Sequence, residues 1–340
     1  MDSSFYFPKK IISEGIFSRV LEIETTSVLE KFPKHMALKY VSSLFDVFLS
    51  PIEPFIGKLT HPNITKILFT EYDFEGSQMK MLLPLGTNNL SDIIRRMPPC
   101  LKKLRDWIRQ IVLGLLHLHK NHFVHGDIKP SNIVFFKNDN LVKIIDFGFS
   151  VYIPSEDYLI YTSAFTMPYR AIEVWNKTGW SYSADIWSLG CTIFELAYRC
   201  FLCPIQHGTR EEIKSFNLQV QEDFWSGKES IDHDIKYRQT FYPPEWFLPE
   251  MSEYNTFLKR ILKKDNRPDI WSIANDPFLG LSCIIEITPY ITKESLIEKI
   301  TKKGCSEQIA QQIINQITKK NSIYHREAAE FCQKIEYDLF

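Results

Sequence analysis

The chain is 340 residues long and 40.0 kDa, 44% hydrophobic and 14% aromatic, enough for two lobes with separate cores and an appendage. Lys and Arg total 40 against 41 for Asp and Glu; a net charge of −1 and a pI near 6.8 leave no electrostatic footprint for nucleic acid. No apolar run approaches the ~18 residues a membrane span needs, Met1-Asp2-Ser3-Ser4 lacks a basic-then-apolar secretory pattern, and the cysteines are scattered and odd in number. An intracellular, reduced protein, cytoplasmic or nuclear, is therefore expected.

Taken in order, Ile12-Ser13-Glu14-Gly15-Ile16-Phe17-Ser18-Arg19-Val20 reads on its own as a β-hairpin turning near Gly15. Met36-Ala37-Leu38-Lys39-Tyr40-Val41 is a short apolar strand interrupted by a lysine, which alone would be a solvated strand residue. Pro51 and Pro54 disfavour a long regular helix ahead of His61-Pro62-Asn63-Ile64. A further strand is expected from Ser77 to Gly86. From Leu101, the apolar residues Leu104, Ile108, Ile111, Leu115 and Leu118 recur at threes and fours, the stripe of an amphipathic helix. Nearby, His117, His119 and His122 are expected to be structural or exposed rather than metal ligands.

That helix delivers the chain to His125-Gly126-Asp127-Ile128-Lys129-Pro130-Ser131-Asn132, followed by Asp146-Phe147-Gly148. Here a carboxylate, an ammonium, an amide and a second carboxylate stand in the order that phosphoryl transfer from a metal-bound nucleotide requires. Asp127 can orient an incoming hydroxyl and take up its proton, and Lys129 can neutralise charge on a migrating phosphoryl. Asn132 and Asp146 offer hard oxygen ligands suited to Mg²⁺. Each piece alone has a bland reading, an Asp-x-Lys-Pro being usually a surface turn; together and in sequence they are specific.

At these residues the chain resembles the eukaryotic-type serine/threonine protein kinase family, whose catalytic loop reads His-Arg-Asp-x-x-x-x-Asn and whose metal loop reads Asp-Phe-Gly. The resemblance implies an α+β, bilobal protein-kinase-like fold: a small β-rich N-lobe with the hinge (1–86), a larger helical C-lobe (87–280) and a C-terminal helical extension (281–340). It also implies ATP and Mg²⁺ as cofactors and a protein substrate as the hydroxyl donor to Asp127. Ile12, Gly15 and Val20 then belong to the phosphate loop, Ala37 and Lys39 to the strand that holds the phosphates, and Val134 to the nucleotide pocket. Leu83 becomes the gatekeeper, with Pro84 offering its carbonyl and Gly86 its N–H to adenine. Asn132 and Asp146 hold metal, Lys129 stabilises the transferring group, and Thr166 sits against Asp127 and Lys129, as in serine/threonine kinases.

Several positions depart from the family pattern. Ser13 and Ser18 replace the outer glycines, so the loop is degenerate and nucleotide affinity is expected to be reduced. Counting back from His61 puts Ile52 where the partner glutamate of Lys39 belongs; Glu53, one residue off, is the expected partner. Gly126 replaces the arginine that pairs with an activation-segment phosphate, so the unphosphorylated chain is expected to be active, with Tyr161, Thr162 and Ser163 as hydroxyls of that segment. Tyr169-Arg170-Ala171-Ile172-Glu173 resembles the ending found in the cyclin-dependent and mitogen-activated kinase branch, with Ile172 in place of proline.

Three further expectations concern the large lobe. Glu173 should form a buried ion pair with Arg267. The helix opening at Ser183-Ala184-Asp185 should be buried, with Asp185 either capping it or anchoring the catalytic-loop backbone. Residues 204–250 read as an irregular insertion, and Leu296, Ile297, Ile300, Ile309, Ile313, Ile314 and Ile317 as a small helical appendage, packed on the large lobe or docking a partner. The rival reading is a pseudokinase scaffold, favoured by the thinned glycine loop; a small-molecule kinase fits Thr166 and Tyr169-Arg170-Ala171 less well.

Overall fold

A computed structural model describes residues 6–15, 18–26, 32–42, 52–73, 78–153, 158–161, 165–203, 210–226, 251–263 and 266–280. The appendage expected beyond residue 280, and Thr162 and Ser163, lie outside them. The N-terminal part is an antiparallel sheet of five strands: β1 (Tyr6–Glu14), β2 (Ser18–Thr25), β3 (His35–Ser42), β4 (Phe69–Asp73) and β5 (Gln78–Pro84), in the order β1-β2-β3-β5-β4. Alternation along β3 sorts its side chains between two cores. Met36 and Leu38 pack with Ile23 and Leu82, whereas Ala37 and Val41 pack with Ile67, Met79, Met81 and Leu83. Lys39, two residues from each of the latter pair, therefore projects from the same face.

Among the described residues one short helix, α1 (Ile52–Lys58), accompanies this sheet. Its seven residues fit the proline signal, since Pro54 in the first turn removes no helical hydrogen bond there. Gly57 lets α1 approach the chain ahead of β4: a Cβ at that position would stand 2.5 Å from Ile67.

The rest is a helical lobe. After β6 (Asn88–Asn89) come α2 (Leu90–Arg96), capped by Asn89, and the long helix α3 (Leu101–Lys120). On α3, Leu104, Ile108, Ile111, Leu115 and Leu118 form the buried stripe, with Trp107 and Val112 alongside. Short strands then carry the loops of interest: β7 (Phe123–Val124) pairs with β10 (Val151–Tyr152), and β8 (Ile133–Phe136) lies between β6 and β9 (Leu141–Ile144). The lobe continues with α4 (Ile172–Asn176), α5 (Tyr182–Tyr198), α6 (Arg210–Ser226), α7 (Met251–Ile261) and α8 (Ile270–Ala274).

Helix α5 is buried on every side from Ala184 to Leu196, the signature of a helix inside a large core rather than on its surface. Gly190 admits Leu262 to 2.5 Å from where a Cβ would be. The expectation of irregular chain over 204–250 is corrected by α6, a helix of 17 residues. Its inward positions include Asn217 and Gln221, 1% and 0% exposed. With amides rather than aliphatic residues on the buried face, the usual apolar period is absent from the sequence. Among the described residues no helix is long and apolar enough to cross a membrane.

Candidate active site

Three charged side chains meet between the lobes. Lys39 Nζ lies 2.7 Å from Glu53 Oε1 and 2.7 Å from Asp146 Oδ1. The strand face that turns Ala37 and Val41 into the core also turns Lys39 toward α1 and the Asp146 loop. Glu53, not Ile52, is the residue of α1 that reaches it. Burial opposes the Lys39 charge, but the two carboxylates outweigh it and hold the ammonium above its ordinary pKa. At Asp146 the Lys39 charge dominates and lowers the pKa from 3.8 to about 2. Glu53 moves the other way: burial, with Asp146 adding repulsion, raises its pKa despite Lys39. Asp146 adopts a left-handed backbone, φ 65°, which Asp tolerates better than most residues.

The residues of the loop from His125 to Asn132 converge on Asp127. Asp127 is 3% exposed. Its Oδ1 accepts from the Thr166 N–H at 2.9 Å and the Thr166 hydroxyl at 2.7 Å. Its Oδ2 accepts from Lys129 Nζ at 2.6 Å and Asn132 Nδ2 at 3.1 Å. Lys129 also donates to Thr166 Oγ1 at 2.6 Å. A carboxylate so held has a fixed orientation, with an ammonium beside it to answer negative charge. His125 stabilises the loop from below: its Nδ1 accepts from the Asp127 N–H at 3.1 Å, its Nε2 faces the Ile145 carbonyl at 3.1 Å, and its ring stands edge-on to Phe147 at 5.4 Å.

Helix α5 supplies the foundation, because its buried polar residues are directed at these loops. Asp185 accepts from the His125 N–H at 2.7 Å, from the Gly126 N–H at 2.9 Å and from His119 Nε2 at 3.0 Å. Of the two roles considered for it, loop anchoring is the one seen. Thr192 donates to the Ile128 carbonyl at 3.3 Å and Ser188 to the Tyr169 carbonyl at 2.7 Å. Glu195 accepts from the Tyr169 hydroxyl, and burial raises its pKa. The Glu173–Arg267 pair is present with two-point geometry, 2.5 Å for Nη1–Oε1 and 3.1 Å for Nη2–Oε2.

Gly126 has φ 79°, and a Cβ there would stand 2.5 Å from the Phe149 carbonyl oxygen. Glycine is thus required by this backbone as well as leaving no guanidinium.

Ala37 and Leu83 face each other across the β3–β5 pair, and Val20 packs with them. Gly86 lies so close to Val134 that a Cβ would come within 2.0 Å of it. Pro84 ends β5. Ile12, by contrast, is 45% exposed, and the Gly15 N–H donates to the Ser18 carbonyl at 2.8 Å, closing the turn as a hairpin. That N–H is bonded within the chain rather than presented to a ligand.

The fit to a hard cation rests on the donor set. Asn132 commits its NH₂ to Asp127, donating to the backbone carbonyl at 2.9 Å and to Oδ2 at 3.1 Å. The atom it can offer a cation is therefore its amide oxygen. Asp146, ionised and with its side chain 39% exposed, offers a carboxylate; oxygen donors of this kind suit Mg²⁺. No cluster of three His, Cys, Asp or Glu residues that could hold a metal ion is found among the described residues.

Sequence reasoning did not find the capture of Tyr169 by Glu195, the His119–Asp185 contact, or the side chain of Arg170 donating to the Phe165 carbonyl. The signal for the first two was the interruption of an apolar helix by acidic residues.

Comparison with known proteins gives a consistent answer. The chain is 31% identical over 210 residues to the human MAPK/MAK/MRK overlapping kinase, covering 59% of this chain and 47% of that protein. It is 29% identical over 202 residues to the mouse serine/threonine-protein kinase Nek5 (58% and 30%), and 37% identical over 147 residues to the Arabidopsis thaliana mitogen-activated protein kinase kinase kinase ANP1 (42% and 21%). The matches thus span less than half the length of each of these relatives. A family model described as the protein kinase domain matches residues 8–279, and the chain accordingly belongs to the protein kinase domain family.

Proposed function

We propose that the chain is an ATP- and Mg²⁺-dependent serine/threonine protein kinase acting inside the cell on protein substrates. The observation that carries the proposal is the junction of Lys39 with Glu53 and Asp146 at 2.7 Å each, next to Asp127 with Lys129 and Thr166 at its two oxygens. In this reading Lys39 binds the donor phosphates, with Val20, Ala37, Leu83, Pro84, Gly86 and Val134 around the base and Ile12 and Gly15 at the entrance. Asn132 and Asp146 hold the metal. When bound, Mg²⁺-ATP supplies the electrophilic phosphoryl group. Asp127 orients the acceptor hydroxyl and accepts its proton, Lys129 compensates the charge that develops, and Thr166 fixes both. The work is positioning and electrostatics, which is why a rigid helix such as α5 underlies the loop.

The finer assignments belong to the same reading. The lobes divide at residue 86 and the C-lobe ends near 280; residues 281–340, outside the described residues, read from sequence alone as a helical extension that packs on the large lobe or docks a partner. The activation segment resembles the cyclin-dependent and mitogen-activated branch. Because Gly126 cannot answer a phosphate, the unphosphorylated chain is active; phosphatase treatment that abolished transfer would count against this.

A docking protein without transfer is the second reading. It is favoured by Ser13, Ser18 and the bonded Gly15 N–H, which thin out the phosphate loop. Transfer of label from γ-labelled ATP to a generic protein substrate, comparing the native chain with Asp127→Asn, separates the two. Transfer lost on the substitution, by ~10²–10⁴-fold, supports the enzyme. Nucleotide binding with no transfer in either protein supports the scaffold.

A further inference from the structure

In a chain whose net charge is −1, the stretch from Ile93 to Arg105 holds five Lys and Arg residues and no Asp or Glu. Two of those cations are engaged elsewhere. Lys103 donates to Asn140 Oδ1 at 2.5 Å and lies over the Phe135 ring at 4.7 Å, and Arg105 stands 3.7 Å from Glu253. Arg95 and Arg96, the last turn of α2, are exposed. Among the described residues neither guanidinium has a carboxylate partner. Met97 beside them is 68% exposed.

A cation at a helix C-terminus is favourable in itself, but the open carbonyls here already have donors. The Ile93 carbonyl accepts from the Met97 N–H at 2.9 Å, and the Arg95 carbonyl from Arg199 Nη2 at 2.9 Å. That second bond brings a third guanidinium, from the C-terminal end of α5, against the end of α2. One carboxylate feels Arg95 through space, that of Glu195. It is committed to the Tyr169 hydroxyl, and burial, the largest influence on it, raises its pKa. Asp92, the acid of α2, sits in the first turn and accepts from Asn89 Nδ2 at 2.8 Å. The positive charge at this corner is therefore left for an outside partner.

The corner adjoins the catalytic loop. Helix α2 packs on the turn Pro130–Asn132, which directly follows Lys129. Seven helical residues span about 10 Å, which sets the arginines on the order of 15 Å from Asp127, or about four to six residues of extended chain. A guanidinium fork suits a carboxylate, which it can hold at two points.

Granting the kinase reading above, we propose that Arg95 and Arg96, with Arg199 behind them, dock an acidic stretch of the protein substrate that lies about four to six residues from the phosphorylated hydroxyl. These arginines touch neither nucleotide nor reacting atoms; they determine specificity by holding the substrate.

The test uses the full chain and peptides built around one serine: neutral flanks, a run of Glu about four to six residues before the serine, the same run after it, and both runs remade with Lys. Two readouts are taken in parallel, phosphorylation rate and peptide binding by fluorescence anisotropy with Mg²⁺ and a non-hydrolysable ATP analogue. One of the two Glu peptides should exceed the neutral peptide by about 5-fold or more at low salt, and the gain should shrink as salt is raised. Arg95→Ala combined with Arg96→Ala should abolish the gain while leaving Tm and the rate on the neutral peptide unchanged. Arg95→Glu combined with Arg96→Glu should transfer the preference to a Lys peptide. Equal rates and affinities across the set overturn the proposal, as does a gain that survives both double substitutions. Binding to phosphatidylserine vesicles in place of any gain on the Glu peptides overturns it in favour of a membrane surface. A Glu-peptide preference in binding without any phosphorylation leaves the docking standing and counts against catalysis alone.

Discussion

Glu173→Ala tests how the large lobe is held together. The Arg267 side chain is 3% exposed and that of Glu173 17%, so the pair lies largely out of water. Without Glu173, the guanidinium keeps Nε on the Lys263 carbonyl at 2.8 Å, Nη1 on the Ser183 carbonyl at 3.2 Å and its place over the Trp187 ring at 5.3 Å. It loses its only anionic partner described, together with a two-point contact. Breaking a buried ion pair from one side costs roughly 3–5 kcal/mol. With two carbonyls retained and some solvent at Glu173, the lower end applies, about 3 kcal/mol, or a fall of ~6–12 °C in Tm for a domain of this size. Thermal unfolding followed by tryptophan fluorescence measures it, with Trp187 beside the pair as a reporter. The companion is Glu173→Ala with Arg267→Met, where no buried charge remains; this should recover at least ~1 kcal/mol over the single variant. A loss under ~1 kcal/mol in Glu173→Ala, or strict additivity of the two substitutions, would show that the contact is not a stabilising buried pair.

Other perturbations probe the site. Glu53→Gln keeps an oxygen for Lys39 but removes a charge, and should reduce the phosphorylation rate by ~10-fold or more with little change in Tm, because the raised Glu53 pKa means that burial already disfavours its ionised form; an unchanged rate would place the functional partner of Lys39 elsewhere. Asp185→Asn leaves one of the His125 and Gly126 N–H groups without an acceptor, at a cost of ~1–3 kcal/mol, and should lower kcat more than it raises the substrate KM; a change in stability alone would limit Asp185 to packing. Asp146 has a depressed folded pKa, so its contribution to stability is present above its ordinary 3.8 and is lost as pH falls toward about 2. Carboxyl ¹³C titration should find it still ionised near pH 4, and Lys39→Met should shift its midpoint upward, since Lys39 is the main cause of the depression. An unshifted midpoint in that variant would contradict the electrostatic account.

Much of the fold could be read from local pattern. The threes and fours of Leu104, Ile108, Ile111, Leu115 and Leu118 are the buried stripe of α3, and the short apolar run interrupted by Lys39 is strand β3, whose two faces pack into separate cores. Helix α6 escaped because Asn217 and Gln221 occupy inward positions, and amides carry no hydrophobic period. Glu53 was one residue from the counted position because α1 is short and begins only at Ile52, so a count from His61 cannot fix which side chain turns inward.

By itself the sequence determined which chemical groups are present and in what order: the carboxylate of Asp127, the ammonium two residues on, the amide of Asn132 and the carboxylate of Asp146, on loops bounded by apolar elements. Those are properties of composition and short-range spacing. Only the tertiary structure decided that Lys39 meets Asp146 across 107 residues of chain, that Asp185 receives the backbone of His125 and Gly126, and that the Arg170 guanidinium donates to the Phe165 carbonyl. Each of those contacts joins groups separated in the chain or sets a backbone angle against its local preference. The energy for this comes from burying both lobes' cores at once, a sum over the whole molecule that no local pattern contains.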